Sequence, residues 1–437
     1  MFEFEKNFTQ EKLELLSKSR NEPQWVVEKR KKAFDTFQSL AWPSKMEEDW
    51  RRTDFSPLEK SNFDLTQFLK SPKFTTNGQP ITEFSAQLLQ TNSETTFSGS
   101  TELKSSGVIF TDLESAIKNH SEILSKYSDL INPTDGKFSA FNKAFWNKGV
   151  LLYVPKGVSV SLPLYHQLNL KSSSWGVFPN TVIIAEPESK IIFLDDYTSA
   201  EQNYGSTALT TSWAFSNALT EIYLQRDARL IYINSQRWQG NVYHLLRQKA
   251  RLEANAQLIT LTLNLGSQKS RSEIETELVG SGAHAFILGL TIGNEKQTFE
   301  QHTLQDHKAP HTTSDLLFKT ALLDSAYAVY SGLIKVEKEA QRTDAYQANR
   351  NLLLSDKAKA DTLPKLEILA NDVRCTHGAT VGPIDPEQFF YLTSRGIEDK
   401  DARKLLIEGF FDEVLGRIKE NGFKDKIREF LEEKIVN

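Results

Sequence analysis

Cysteine occurs once in the 437 residues and methionine twice. A single thiol excludes a disulfide framework within the chain, and it excludes a one-chain cysteine cage for zinc, which takes about four ligands. It suits a reducing compartment. No apolar run approaches the roughly 18 residues that a membrane-spanning helix needs. Neither sign of charge dominates: 52 Lys and Arg stand against 57 Asp and Glu, net -5. Neither nucleic acid nor a membrane surface is therefore expected as the main partner. The opening residues, MFEFEKNFTQEKLELL, are acidic and amphipathic, without a basic n-region or a long apolar stretch. The expected protein is soluble and cytoplasmic.

Several chemical signatures are missing too. No G-x-x-x-x-G-K-[ST] occurs, and no G-x-G-x-x-G follows a strand, so the chain is not expected to hold nucleotide phosphates. There is no G-x-S-x-G elbow. The carboxylates are scattered along turns and support no glycosidase pair. Long helical patterns are absent between about 150 and 385, which removes the crossover helices of a Rossmann-type sheet.

What is present changes character along the chain. In residues 1 to about 60, Val26, Arg30, Ala33, Phe34, Phe37 and Leu40 recur at helical spacing between Pro23 and Pro43. Trp25, Trp42 and Trp50 are expected as packing anchors. Residues 61 to 106 are rich in Ser, Thr and Asn and predict loops and short strands that cap the β-rich region after them. From Gly107 the period becomes two, in GVIF, GVLLYVP, VSVSLPLYHQLNL, NTVIIAEP and SKIIFLDDY.

A small residue followed by a short strand recurs at Ser189, Ala228, Ala256, Ala283, Ala326 and Ala358, with gaps of 39, 28, 27, 43 and 32. A small residue at a tight corner, then a strand, is what stacked solenoid coils require. The pattern predicts a mainly β chain with a solenoid core, Ile231 and Ile259 pointing inward. The tail turns helical: Ala402, Leu405, Leu406, Gly409, Phe410, Val414 and Ile418 make one stripe that Asn421-Gly422 ends. Phe389, Phe390, Phe410 and Phe411 add apolar surface. They are expected to shield the open edge of the last coil, to dock a partner, or both. The implied regions are 1–106, 107–385 and 386–437.

The densest chemistry lies in NDVRCTHGATVGPIDPEQFFYLTSRG, from Asn371 to Gly396. A period of two puts Cys375 and His377 on one face of an extended segment. Gly378, Gly382, Pro383 and Pro386 come next, and the strand is expected to end with His377 just before Gly378. Taken alone, the pair suits a packed thiol beside a backbone-bonded histidine better than a metal or reactive site. His302, His307 and His311, with Asp306 and Asp315, fit neither one strand face nor one helix face, and Pro310 interrupts them. Solvent or turn histidines describe them better than a metalloenzyme centre.

From Gln301 onward, HTTSDLLFKTALLDSAYAVYSGLIKVEKEAQRTDAYQANRNLLLSDKAKADTLPKLEILANDV and then RCTHGATVGPIDPEQFFYLTSRGI resemble the SufB/SufD family of iron–sulfur cluster assembly proteins. WVVEKRKKAF and LAWPSKMEEDWRRTDFS extend the likeness to the N-terminal end. SufB-type members commonly carry Glu-His-Glu where this chain has Cys375-Thr376-His377-Gly378; the Cys-x-His-Gly form is similar to the SufD branch. The resemblance implies a right-handed parallel β-helix between N-terminal and C-terminal helical regions, and a non-catalytic scaffold. It implies pairing with a SufB-like paralogue through the β-helix ends, and with the ABC-type ATPase SufC through helices starting near Gln388. A nascent iron–sulfur cluster would form at the first contact, with His377 implicated and Cys375 beside it. No cofactor is expected to stay tightly bound to the isolated chain, which could instead pair with itself. The competing class is a β-helix polysaccharide lyase or hydrolase. Only fold analogy supports it, and no Asp/Arg constellation accompanies it.

Overall fold

The corners come first, because they fix where each strand starts. The computed structural model describes residues 2–59, 61–63, 65–66, 69–76, 83–171, 175–199, 213–419 and 423–436. All six corner residues are buried, Ser189, Ala228, Ala256, Ala283 and Ala326 completely and Ala358 to 5 % exposure. The N–H groups of Ser189, Ala228, Ala256 and Ala283 close four-residue turns onto Glu186, Gln225, Glu253 and Gly280 at 3.0–3.2 Å. The third residue of each turn has positive φ: Glu188 64°, Asp227 61°, Asn255 56° and Gly282 75°. That is the type II pattern. His311 (60°) and Arg342 (61°) repeat it ahead of Thr312 and Thr343. There a threonine hydroxyl, donating to Ala309 or Ala340 at 3.1 and 2.8 Å, accompanies the small buried corner. The gaps of 43 and 32 arose because these two corners carry Thr. Ala326 and Ala358 serve the opposite wall.

That wall and its partner are two sheets. The N-terminal strands are β1 (Lys73–Thr76), β2 (Ala86–Gln90), β3 (Glu94–Gly99) and β4 (Ile109–Asp112). The first sheet runs β1-β3-β2 and then β6 (Leu164–Leu170), β9 (Lys190–Ser199), β11 (Arg229–Arg237), β13 (Gln257–Asn264), β15 (His284–Gly293), β17 (Thr313–Leu322), β19 (Asp344–Leu353) and β21 (Arg374–Pro383). The second runs from β4 through β5 (Lys148–Val154), β8 (Pro179–Ala185), β10 (Ala214–Leu224), β12 (Val242–Leu252), β14 (Lys269–Leu278), β16 (Thr298–His307) and β18 (Tyr327–Val336) to β20 (Lys359–Ile368). The short β7 (Gly176–Val177) pairs with β10. From β6 and β5 onward every pairing is parallel, giving a β-solenoid of about eight turns. Register carries Arg229 onto Gln257, His284, Thr313, Asp344 and Arg374, steps of 28, 27, 29, 31 and 30 residues.

Inside, Leu230, Tyr232, Leu258, Ala285 and Ile287 meet Ile222, Leu252, Ile274 and Tyr330 of the second sheet. The interior is not wholly apolar. Asp195 Oδ1 lies 2.7 Å from His166 Nδ1, and its Oδ2 accepts from Thr181, Tyr197 and Tyr232 at 3.0–3.1 Å. A buried carboxylate is tolerable when its lone pairs are used this fully.

Ile231 and Ile259 point the other way from the expectation. Ile231, Ile233, Leu261, Leu288 and Leu317 face outward, where Ile407, Phe411, Val414, Ile418 and Phe430 cover them, and Ile259 is half-buried there. The covering elements are α9 (Asp399–Gly416) and α10 (Lys424–Val436), which follow α8 (Pro386–Ser394). A strand buried on both faces carries apolar residues on both, so alternation cannot say which face is inside. The C-terminal helices therefore pack along the outside of β15 and β17 and leave the edge of the last coil unshielded. The Asn421-Gly422 stop lies outside the described residues.

At the other end, α1 (Gln10–Ser19), α2 (Gln24–Ser39) and the short α3 (Ser56–Glu59) and α4 (Thr101–Ser105) precede α5 (Leu113–Asn119), α6 (Ser121–Lys126) and α7 (Lys137–Phe145). The last three fall inside the stretch assigned to the β-helix from 107. The coils begin at Lys148, because FSAFNKAF folds as a helix whose rings join Phe4, Phe8, Phe178 and Phe215 in one core. In the 61–106 segment, β2 adds parallel to β6, and β3 folds back antiparallel on β2. Trp42 and Trp50 pack against the same core.

Leu258→Ala, at an inward position, is expected to cost about 3 kcal/mol, and Ile259→Ala, outward and half-buried, about 1 kcal/mol. Thermal melting of both variants checks the register; equal losses would contradict it.

Candidate functional site

Side-chain columns run along the solenoid because each parallel step keeps its register. One inward column is Leu230, Leu258, Ala285, Ser314, Ala345 and Cys375; the next is Tyr232, Thr260, Ile287, Leu316, Gln347 and His377. Every member before the last is buried to 1 % exposure or less. Cys375 is only half-buried and His377 is exposed, since no further coil lies over β21 among the described residues. The thiol and the imidazole thus face the lumen of the solenoid from its open mouth. Across from them, β20 presents Leu366, 40 % exposed, and β21 adds Val381, 43 % exposed. Leu366 and Val381 thus leave apolar surface open to solvent at the mouth.

β21 does not stop at Gly378. It continues through Gly382 to Pro383, placing His377 fourth of ten residues. At a sheet edge a glycine forfeits little packing and a proline's missing N–H faces no neighbour. His377 has no hydrogen-bond or ion-pair partner among the described residues. Burial pushes the Cys375 thiol above its ordinary range, with Asp344 acting in the same direction, so the thiol form is favoured near neutral pH. Outside the mouth, Arg374 pairs with Asp344 of the preceding coil.

The histidine group does not assemble. His302 faces outward and accepts from Arg271 Nη1 at 2.7 Å. His307 points inward, bonded to Thr312 and Ser314 at 2.7 and 2.8 Å, and burial lowers its pKa to about 4. His311 occupies an exposed corner. Asp306 pairs with Lys308 and Asp315 with Arg417. Sequence reasoning missed a nearer carboxylate group, Glu275, Glu277 and Asp306, which a β14–β16 register would have revealed. Lys249 and Lys308 already neutralise it at 2.7–3.2 Å.

The four phenylalanines separate by role. Phe411, 1 % exposed, is core beneath α9, and Phe410 is half-buried below the Lys319 ammonium, 4.5 Å from its ring centroid. Phe389 is half-buried under the Arg403 guanidinium at 5.0 Å. Phe390 is 70 % exposed and Tyr391 57 %. Of the three C-terminal helices, α8 alone offers an exposed aromatic surface among the described residues, three residues beyond the end of β21.

Comparison with known proteins bears directly on this architecture. The family described as "SUF system FeS cluster assembly, SufBD core domain" matches residues 168–410, and "SufBD protein N-terminal region" matches residues 3–165. The chain belongs to the SufBD family. The two matches meet within β6, in the first coil of the solenoid. Similar relatives include the iron–sulfur cluster assembly protein SufB of Bacillus subtilis, 28 % identical over 94 % of this chain and 90 % of that one. An iron–sulfur cluster assembly SufBD family protein of Staphylococcus epidermidis is 27 % identical over the same shares, as is one of Staphylococcus haemolyticus. In this SufBD chain, one nitrogen and one sulfur stand together on an uncovered surface. They can supply part of a ligand set for a borderline-soft metal, with the remaining ligands coming from whatever covers the mouth.

Because Cys375 is the sole thiol, its chemistry can be followed without interference. Its alkylation by iodoacetamide is expected to rise with pH through a midpoint above the ~8.5 of a free cysteine. A midpoint below that value would mean that a neighbouring cation, not burial, controls the site.

Proposed function

We propose that this SufBD chain is a SufD-type, non-catalytic scaffold subunit of the SUF machinery. The observation that carries the reading is the uncovered mouth, where two parallel sheets end beside an exposed imidazole. A SufB-like paralogue caps the mouth, and the nascent iron–sulfur cluster, the cargo of the assembly, forms at that contact. His377 supplies an imidazole to iron there. Cys375 has the weaker case, because a protonated, half-buried thiol is a poor ligand until something draws its proton away. The Cys-x-His-Gly sequence at 375–378 favours the SufD branch over SufB, while the relatives carry the names SufB and SufBD family protein, which do not separate the two branches.

The SufC-like ATPase docks on α8, through Phe389, Phe390 and Tyr391. α9 and α10 are built into the solenoid wall, so their role is to hold α8 rather than to meet the ATPase. The isolated chain keeps no tightly bound cofactor on this reading, and works in the cytoplasm. An isolated chain could also cover its mouth with a second copy, since the same surface is open in both. No observation favours a polysaccharide-cleaving enzyme.

His377→Ala is expected to leave folding and complex assembly intact, because the ring makes no contact that stability needs, yet to lower maturation of iron–sulfur enzymes roughly tenfold or more. Cys375→Ala should be milder. The measurement is complementation of an assembly-deficient strain by each variant, with the complex checked by gel filtration. Full complementation by His377→Ala would remove the site, and loss of the complex would make His377 an interface residue instead.

A further inference from the structure

Far from the mouth, the N-terminal region forms an open pocket of about 200 Å³ between α2, α5, α6, α7 and β8. Its walls are apolar and buried, formed chiefly by Val26, Ile117, Leu124, Trp146 and Val182, each 8 % exposed or less. An apolar hollow of this size is large enough to hold a benzene-sized guest, as engineered cavities of about 150 Å³ do.

Two polar features narrow the guest. Asn180, 5 % exposed, lines the floor, and its side-chain oxygen has no hydrogen-bond partner. A buried carboxamide left unmatched costs free energy that a ligand hydroxyl, donor and acceptor at once, would recover. At the rim, Lys29 is paired with Asp129 at 2.8 Å, and Lys143 with Glu221. Lys32, exposed on α2, has no ion-pair partner among the described residues, so the rim carries an uncompensated positive charge.

We propose that this pocket binds a small carboxylate with an apolar, ring-sized body and a hydroxyl at its inner end. The body packs on Trp146, Ile117 and Val182, the hydroxyl meets Asn180, and the carboxylate lies at the Lys32 rim. Pockets that pair apolar walls with a few placed polar groups are the usual form of a small-molecule site.

Isothermal titration calorimetry on the full chain tests this with para-hydroxyphenylpropionate as the probe. Binding is expected, with phenylpropionate about fivefold weaker for want of the hydroxyl and tyramine, which exchanges carboxylate for ammonium, at least tenfold weaker. Lys32→Glu, a surface change that leaves the fold alone, should weaken the probe about tenfold. Asn180→Leu should erase the preference for the hydroxylated compound. Leu124→Trp, which fills the hollow, should abolish binding while the melting temperature holds or rises. Should that variant not fold, Lys32→Glu and the tyramine comparison carry the test. No binding of the probe at millimolar concentration, equal binding of tyramine, or undiminished binding by Lys32→Glu overturns the proposal.

Discussion

A parallel coil cannot finish itself. Its backbone ladder and its inward side chains are completed only by the coil on each side, so every coil passes its unpaired edge to the next. The N-terminal end resolves this in two ways. β2 and β3 turn the first sheet back on itself antiparallel, and β4 does the same for the second against β5. The phenylalanine-rich core around Phe4, Phe8, Phe141 and Phe215 then buries what remains. At the C-terminal end nothing comparable is present among the described residues: β20 and β21 are both edges.

The outward faces meet the same demand differently. Along β15 and β17 they are apolar and take α9 and α10 as a cover. On the second sheet, β12 carries Arg247, Lys249 and Arg251 against Glu273, Glu275 and Glu277 of β14, a face that stays compatible with water. The N-terminal segment lies across that face: Arg271 stacks on Trp50 at 3.7 Å, Lys269 pairs with Asp54, and Glu48 reaches Lys365 on β20 at 2.9 Å. Exposed pairs like the last contribute little singly. Their consequence is geometric, since residues near position 50 and the final coil are held in one body. Among the described residues, the mouth that carries Cys375 and His377 is where both sheets end with an unpaired edge.

The sequence made the solenoid visible because small residues are forced at its corners, and Ser189, Ala228, Ala256 and Ala283 mark consecutive coils of one sheet. It hid the next two corners because Thr312 and Thr343 replace the alanine and use a hydroxyl there. It also hid the sense of the strands: Ile231 and Leu230 are equally apolar, and which faces the lumen depends on helices nearly two hundred residues later. The Cys-x-His pair was legible as two residues on one face. That the face is the lumen, and that it is left open, emerged only from counting register through Tyr232, Thr260, Ile287, Leu316 and Gln347. Aromatic density overstated the exposed apolar surface of the tail for a similar reason, since Phe411 belongs to the wall.

The central claim is that the mouth is the surface that assembly completes. Hydrogen exchange read by mass spectrometry, on the dilute chain and on the chain mixed with the SufB-like paralogue proposed as its partner, addresses it most directly. The account predicts that the amides of β20 and β21 that do not bond to β18 and β19 exchange freely in the chain alone and slow by roughly two orders of magnitude or more in the complex, while β11 and β13 are protected in both. A complex in which β20 and β21 exchange as fast as before, with new protection elsewhere on the molecule, would contradict it.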